Sequence, residues 1–172
     1  MRYGRVFAFI IALIIAAADH LTKVIIQHSM NSFENVPVIP GLLRIVHTEN
    51  PGAAFGVLAE GNPILRSVVL IGVSSVVLCF VLSALWSRNS SYTALPTRFG
   101  LGLILGGAIG NLYDRVAHGT VTDFIEVFHG SWSFPAFNVA DSAISIGAAL
   151  ILLEMLWSSR KRSVERTAGA QR

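Results

Sequence analysis

Two aspartates in the second half of the chain, Asp123 and Asp141, are the residues best suited by type and position to perform catalysis. Each lies at the edge of a strongly apolar stretch, where an ionised carboxylate is costly and therefore indicates a function. Facing carboxyl groups would titrate as a pair that shares one proton. The ionised member can then accept a proton from water while the protonated member polarises a carbonyl, which predicts amide hydrolysis without a covalent intermediate.

Each aspartate also has an ordinary structural interpretation. Asn138 and Asp141 have the spacing of a helix cap, in which a carboxylate in the first turn is favoured by the helix dipole. Asp123 alone is typical of a solvated loop. Eighteen residues separate the two aspartates, and the turn-rich segment between them can bring the chain back on itself, which favours a facing pair.

Further polar side chains are predicted to lie near the pair. Asp19 and Lys23 are four residues apart on one helical face, which allows either a structural ion pair or a carboxylate that reaches the site. Asn111, Asp114 and Arg115 also share a face at the end of an apolar segment.

A second group of polar residues follows helical or turn spacing. In the last apolar segment they form one stripe, which is predicted to face the helix bundle: Asn138, Asp141, Ser142 and Ser145. Asn50 and Gly52 are turn formers, suited either to a plain tight turn or to close passage of a substrate backbone, with Asn50 expected to hydrogen-bond that substrate.

Composition indicates a single membrane domain over residues 1–172. Hydrophobic residues make up 53% of the chain and charged residues 13%. The fold class predicted is an all-α membrane protein, a bundle of four transmembrane helices with a small extracytoplasmic β element. The spans are expected at about 6–26, 64–86, 99–116 and 139–157, each against the roughly 20 residues that a bilayer requires.

The positive charges predict the orientation. Nine of the thirteen Lys and Arg residues lie in segments 1–5, 87–98 and 158–172, which an even number of spans places on one side. The positive-inside rule makes that side cytoplasmic, so both termini are expected inside, with a solvated basic tail after residue 157. A cleaved signal peptide over the first span is the alternative, but its loss would put the basic segments on opposite faces. Because these charges are topology signals, nucleic-acid binding is not expected.

The two long extracytoplasmic loops have the alternation of short strands. Residues 43–47 and 121–128 each alternate in a period of two, and an edge of such a sheet can accept an extended peptide. The third apolar segment contains Gly102, Gly106 and Gly110, a spacing that lets another helix approach closely.

Other chemistries have little support. Cys79 has no second cysteine to pair with and is expected to be a small buried apolar residue. The five histidines show no metal-ligand spacing, and no serine occupies a nucleophile elbow, so neither a metal nor a cofactor is predicted.

Five ordered motifs resemble those of the lipoprotein signal peptidases, also called type II signal peptidases. They are DHLTK from Asp19, NPGAAFG from Asn50, GGAIGNLYDR from Gly106, VTDFI from Val121 and FNVADS from Phe137. The similarity covers about residues 5–157. One departure is His20, where the family commonly has glutamine.

The resemblance implies an intramembrane aspartyl endopeptidase of the bacterial inner membrane, with its active site near the extracytoplasmic face. Such an enzyme removes signal peptides on the N-terminal side of a diacylglyceryl-modified cysteine, in contact with membrane lipids, and is expected to be a monomer. The catalytic pair falls on Asp123 and Asp141. The supporting residues implied are Asp19, Lys23, Asn50, Gly52, Asn111, Asp114, Arg115, Asn138 and Ala140.

Two other classes of function are considered. A small ion or proton transporter would also keep carboxylates in its membrane segments. The acidic residues, however, cluster at one end of the helices, and residues 67–87 hold no charge to continue a relay. A catalytically inactive scaffold is disfavoured by the intact aspartate pair.

Overall fold

The computed structural model describes residues 2–32, 34–52, 62–87, 92 and 94–169. The helices are α1 (Arg2–Ser29), α2 (Pro63–Trp86), α3 (Leu95–Ala117) and α4 (Val139–Gly169). The strands are β1 (Asn35–Ile39), β2 (Leu43–Asn50), β3 (Val121–His129) and β4 (Trp132–Ser133). The strands form an antiparallel sheet in chain order, and its two central strands are the two predicted from alternation.

Within the described ranges, three helices are long and apolar enough to cross a membrane, namely α1, α2 and α4 over residues 3–29, 63–86 and 139–160. Helix α3, predicted as the third span, is not among them. Thirteen of its residues are buried, and they include polar ones such as Thr97, Arg98 and Asn111. Helix α3 is therefore the centre of the bundle, and the other helices present apolar side chains outward, such as Leu13, Val76 and Leu153.

Glycines let α3 approach its neighbours on two faces. A Cβ atom at Gly102 would lie 2.7 Å from the carbonyl oxygen of Ala8 in α1, and Gly106 meets Ala12 in the same way. On the opposite face Gly107 lies against the carbonyl of Ala140 in α4. The predicted close approach at 102 and 106 is present, while the second seam towards α4 was not predicted.

Substitution of Gly107 is expected to destabilise the bundle. In Gly107→Ala the new methyl group would overlap the Ala140 carbonyl, so we expect a loss of about 1–3 kcal/mol and a lower melting temperature in detergent. Gly72→Ala on α2 is the matched control, because no described atom lies within 4 Å of its Cβ position. Equal melting temperatures for the two variants would contradict the close packing of α3 on α4.

Two sequence expectations are wrong in detail. Cys79 is exposed on α2 and not buried, because a helix that is apolar all round carries no pattern that separates core from periphery. The fourth helix, expected to end at about residue 157 before a basic tail, continues through that segment as far as Gly169. Lys, Arg, Glu and Ala in that segment are themselves good helix formers.

Candidate active site

Asp123 lies on β3, opposite Thr48 of β2, and is 3% exposed. Its Oδ1 accepts a hydrogen bond from Asn138 Nδ2 at 2.7 Å, and its Oδ2 accepts one from Asn50 Nδ2 at 2.9 Å. Asn50 Oδ1 in turn accepts from the backbone N–H of Gly52 at 2.9 Å. Asn50 therefore fixes one side of the Asp123 carboxylate while its own turn is closed by Gly52.

Asp141 lies in the first turn of α4, where the predicted capping geometry is present. The backbone N–H of Asp141 donates to Asn138 Oδ1 at 2.9 Å, and Asp141 Oδ2 accepts from the backbone N–H of Asn138 at 3.3 Å. The other carboxylate oxygen, Oδ1, accepts from Asn111 Nδ2 at 2.7 Å. Capping thus occupies one oxygen of Asp141, and the hydrogen bond from Asn111 holds the other.

Two buried asparagines join the aspartates. Asn138 is fully buried, and its Nδ2 lies 2.7 Å from Asp123 Oδ1 and 3.2 Å from Asn111 Oδ1. Because Asn111 donates to Asp141, a continuous path runs from one carboxylate to the other. A side chain that caps a helix therefore also holds the position of a carboxylate on the neighbouring strand.

Beneath the pair lies a buried cluster of charges. The ammonium group of Lys23 donates to Asp19 Oδ2 at 2.7 Å and to Asn111 Oδ1 at 3.0 Å, and it forms an ion pair with Asp114 Oδ2 at 2.7 Å. Asp19 Oδ1 also accepts from the backbone N–H of Ala140 at 2.9 Å. The structural ion pair and the link to the site, left open by the sequence, are thus both present.

The second cation of the site is Arg115, which follows Asp114 in α3. It is partly buried, and its guanidinium donates to the carbonyl of Asn111 at 3.3 Å and to that of Gly52 at 3.5 Å. Its neighbour Asp114 points the other way, towards Lys23. The remaining part of the motif after Gly52, residues 53–56, lies outside the described residues.

A cavity of about 910 Å³ opens beside the two aspartates. Its wall includes Asn50, Arg115, Asp123 and Asp141, together with apolar residues of the sheet, of the 134–137 segment and of α4. Ser142 and Ser145 also line this cavity. The α4 polar stripe therefore faces both ways: Asn138 and Asp141 contact α3 in the bundle, as expected, while Asp141, Ser142 and Ser145 also line the cavity.

The environment of Asp123 favours its protonated form. Burial, together with the nearby charge of Asp141, raises the pKa of Asp123 to about 6, although the hydrogen bonds from Asn50 and Asn138 favour the ionised form. A protonated carboxyl beside a second carboxylate is the arrangement that general acid–base hydrolysis requires. The described residues contain no cluster of His, Cys, Asp and Glu suited to a metal ion.

Sequence reasoning missed a group of polar residues beside Asp123. Thr122 is buried, accepts from Gln27 Nε2 at 2.7 Å and donates to Glu49 Oε1 at 2.8 Å. The sequence could have indicated these residues only by their position next to predicted site residues. Glu49 precedes Asn50, and Thr122 precedes Asp123.

The sequence pattern of the family described as Signal peptidase (SPase) II matches residues 11–157 of the chain. The chain belongs to the signal peptidase II family. Among curated members, the lipoprotein signal peptidase of Solibacter usitatus is 37% identical over 154 residues, covering 90% of this chain and 93% of its own length. That of Syntrophotalea carbinolica is 42% identical over 144 residues, covering 84% and 87%.

Two solved structures, both described as bacterial membrane enzymes, share the fold of this signal peptidase II. One has a TM-score of 0.78 at 31% identity and covers 89% of each chain. The other has a TM-score of 0.74 at 32% identity and covers 87% of this chain and 92% of its own. Membership of the signal peptidase II family makes this chain a protease, and the apolar helices make it a membrane protein.

Proposed function

We propose that the chain is an intramembrane aspartyl endopeptidase in which Asp123 and Asp141 hydrolyse one peptide bond together. The observation that carries this proposal is that both carboxylates line one cavity and are joined through Asn138 and Asn111. In this mechanism Asp123 gives the shared proton to the scissile carbonyl oxygen, and Asp141 accepts a proton from the water that attacks the carbonyl carbon. The C–N bond then breaks as Asp141 passes that proton to the leaving amine, and Asp123 recovers a proton from the hydroxyl of the intermediate. Arg115 on the same wall is suited to hold the polypeptide against the pair.

The proposed substrates are bacterial prolipoproteins whose cysteine carries a diacylglyceryl group, cut on the N-terminal side of that cysteine. The names of the relatives support this substrate class. The acyl chains of such a substrate stay in the bilayer, so its scissile bond must lie near the membrane surface. Membrane lipids are the other partner, and the enzyme is proposed to act as a monomer with no cofactor and no nucleic acid.

The proposed topology has four spans in the bacterial inner membrane, with both termini cytoplasmic and the aspartates near the outer face. Helix α3 has 23 residues, and at the helical rise it is roughly 34 Å long, enough for the roughly 30 Å hydrocarbon core. Its buried polar side chains, Thr97, Arg98, Asn111 and Asp114, are shielded from lipid because they face the bundle. The clustering of basic residues at one end of the apolar segments supports this orientation.

Product mapping tests the proposed activity. Purified protein in detergent is incubated with a synthetic peptide that contains a signal sequence and a diacylglyceryl cysteine, and the products are identified by mass spectrometry. We expect one cut immediately before the modified cysteine, and at least tenfold slower cleavage of the same peptide with an unmodified cysteine. Ion flux through reconstituted vesicles without any peptide cleavage would instead favour the transporter.

The pH dependence follows from the environment of Asp123. Because its pKa is raised to about 6, it holds the shared proton below that pH and loses it above, so kcat/KM is expected to fall on the alkaline side with an apparent pKa near 6. The same raised pKa makes the folded state bind more protons. Its contribution to stability is therefore present below the ordinary value of 3.8 and is lost as the pH rises through 6.

The variant Asn50→Ala tests whether Asp123 is the group that sets the alkaline limb of the pH profile. The hydrogen bond from Asn50 favours ionised Asp123, so its removal raises the pKa and should move the alkaline limb of kcat/KM to higher pH. A limb that stays in place or moves to lower pH would show that Asp123 is not the group that titrates.

A further inference from the structure

One charged residue in the wall of the cavity beside the aspartates has no role in the proposed hydrolysis. The charged residues of that wall are Glu49, Arg115, Asp123, Glu126 and Asp141. Glu126 is neutralised by contact with Arg44. When the aspartate pair shares a proton it carries one negative charge, which Arg115 on the same wall balances. Of these wall residues, Glu49 is then the one whose charge is not balanced by another residue of the wall.

Glu49 is held as an ion by its neighbours. Its Oε2 accepts from Thr120 Oγ1 at 2.6 Å, and its Oε1 accepts from Thr122 Oγ1 at 2.8 Å. Burial raises the pKa of Glu49, but these hydroxyls and His47 outweigh burial and hold it below its ordinary value. Among the described residues its ion-pair partner is His47, at 3.2 Å, which carries a charge only when protonated.

The side chain of Glu49 is also open to a ligand and fixed in place. It is 40% exposed, and the Thr122 that holds it is anchored to Gln27 of α1. Glu49 belongs to β2 and lines the cavity, so it lies on the side of the cavity that the sheet forms. The same cavity is also lined by α4 residues such as Ile144 and Ile146, which belong to a helix long and apolar enough to cross a membrane.

These positions suggest which part of a substrate passes Glu49. The signal helix and the acyl chains remain in the bilayer, on the α4 side, whereas the chain that follows the modified cysteine leads out of the membrane past the sheet. This step rests on the proposed function. We propose that Glu49 is a specificity-determining residue that favours basic and disfavours acidic side chains in the first three residues after the lipidated cysteine.

The expected size of the preference follows from partial exposure. A charge pair in a half-exposed cavity changes binding by a modest amount, so we expect kcat/KM to differ by about three- to tenfold between a basic and an acidic residue at the sensitive position. The difference should lie mainly in KM, because Glu49 contacts a side chain and not the reacting bond. It should shrink as the ionic strength rises.

The test uses a set of diacylglyceryl-cysteine peptides with Lys, Gln or Glu at each of the first three following positions. The parent enzyme is expected to cleave in the order Lys, Gln, Glu at one position or more. In Glu49→Gln the ratio of Lys-peptide to Glu-peptide cleavage should fall to about one, and in Glu49→Asp it should be retained. Glu34→Gln, an exposed carboxylate outside the cavity wall, should keep the parent ratio.

The outcomes separate the two proposals. An equal ratio in parent and Glu49→Gln, or no preference in the parent, would overturn the role of Glu49 while leaving the peptidase intact. Failure of the parent to cut any of these peptides before the modified cysteine would instead overturn the proposed function. Because each ratio of Lys-peptide to Glu-peptide cleavage is measured within one variant, a general loss of activity in Glu49→Gln does not alter the comparison. The ratio measured in Glu49→Asp provides a second, independent test.

Discussion

Asp141→Asn and Asp123→Asn are each expected to lower kcat/KM for prolipoprotein cleavage by at least about a thousandfold. A loss of that size corresponds to about 4 kcal/mol of barrier, within the range of a positioned acid or base. The amide is isosteric with the carboxyl group, and its oxygen at position 141 can still accept the capping hydrogen bond from the backbone of Asn138. The amide nitrogen replaces an oxygen that accepts from a neighbouring asparagine, so we expect a loss of about 1–3 kcal/mol of stability while folding and membrane insertion are retained.

Glu154→Gln is the matched control for Asp141→Asn. It removes a carboxylate from the same helix, one that is hydrogen-bonded to Ser158 and does not line the cavity. We expect parent-like cleavage from this variant. Cleavage by either aspartate variant at a rate near that of the parent would show that the pair does not perform the hydrolysis.

Loss of the buried cation should have the largest effect on stability. In Lys23→Met two buried carboxylates, Asp19 and Asp114, lose the ammonium group that lies 2.7 Å from each. Breaking a buried ion pair from one side costs about 3–5 kcal/mol, and we expect a correspondingly lower melting temperature and poor yield. The N-terminus of α4 should also loosen, because Asp19 holds the backbone of Ala140.

The triple variant Lys23→Met, Asp19→Asn, Asp114→Asn separates charge from packing. It removes the uncompensated charges while the amide oxygen introduced at position 19 can still accept from the Ala140 backbone, so it should regain much of the stability lost in the single variant. A single variant as stable as the parent would mean that the buried cluster does not need its cation. A triple variant no better than the single one would assign the effect to packing.

The sequence predicted much of the fold because its signals are local. Alternation located β2 and β3, and apolar length located α1, α2 and α4, since both depend on neighbouring residues. It missed β1, which is exposed along its whole length and contains Pro37, and β4, which has two residues. It also started the third span at about residue 99, so that Thr97 and Arg98, which are buried in α3, were left in the preceding loop.

The contacts of the candidate site were also predictable only where they are local in sequence. Spacing within one helix predicted the pairing of Asp19 with Lys23 and the capping of α4 by Asn138. The contact of Lys23 with Asp114 and the bridge from Asn138 to Asp123 join residues distant in sequence. Such contacts are set by how the helices and the sheet pack, which no local spacing encodes.

The most direct test of the central claim is a structure with a peptide whose scissile amide is replaced by a hydroxyethylene group, preceding a diacylglyceryl cysteine. The hydroxyl stands in for the oxygen of the tetrahedral intermediate. If the pair acts on one bond, that oxygen will lie about 2.5–3.0 Å from a carboxylate oxygen of both Asp123 and Asp141. A hydroxyl that contacts only one of them, in a peptide bound along the cavity, would contradict the account.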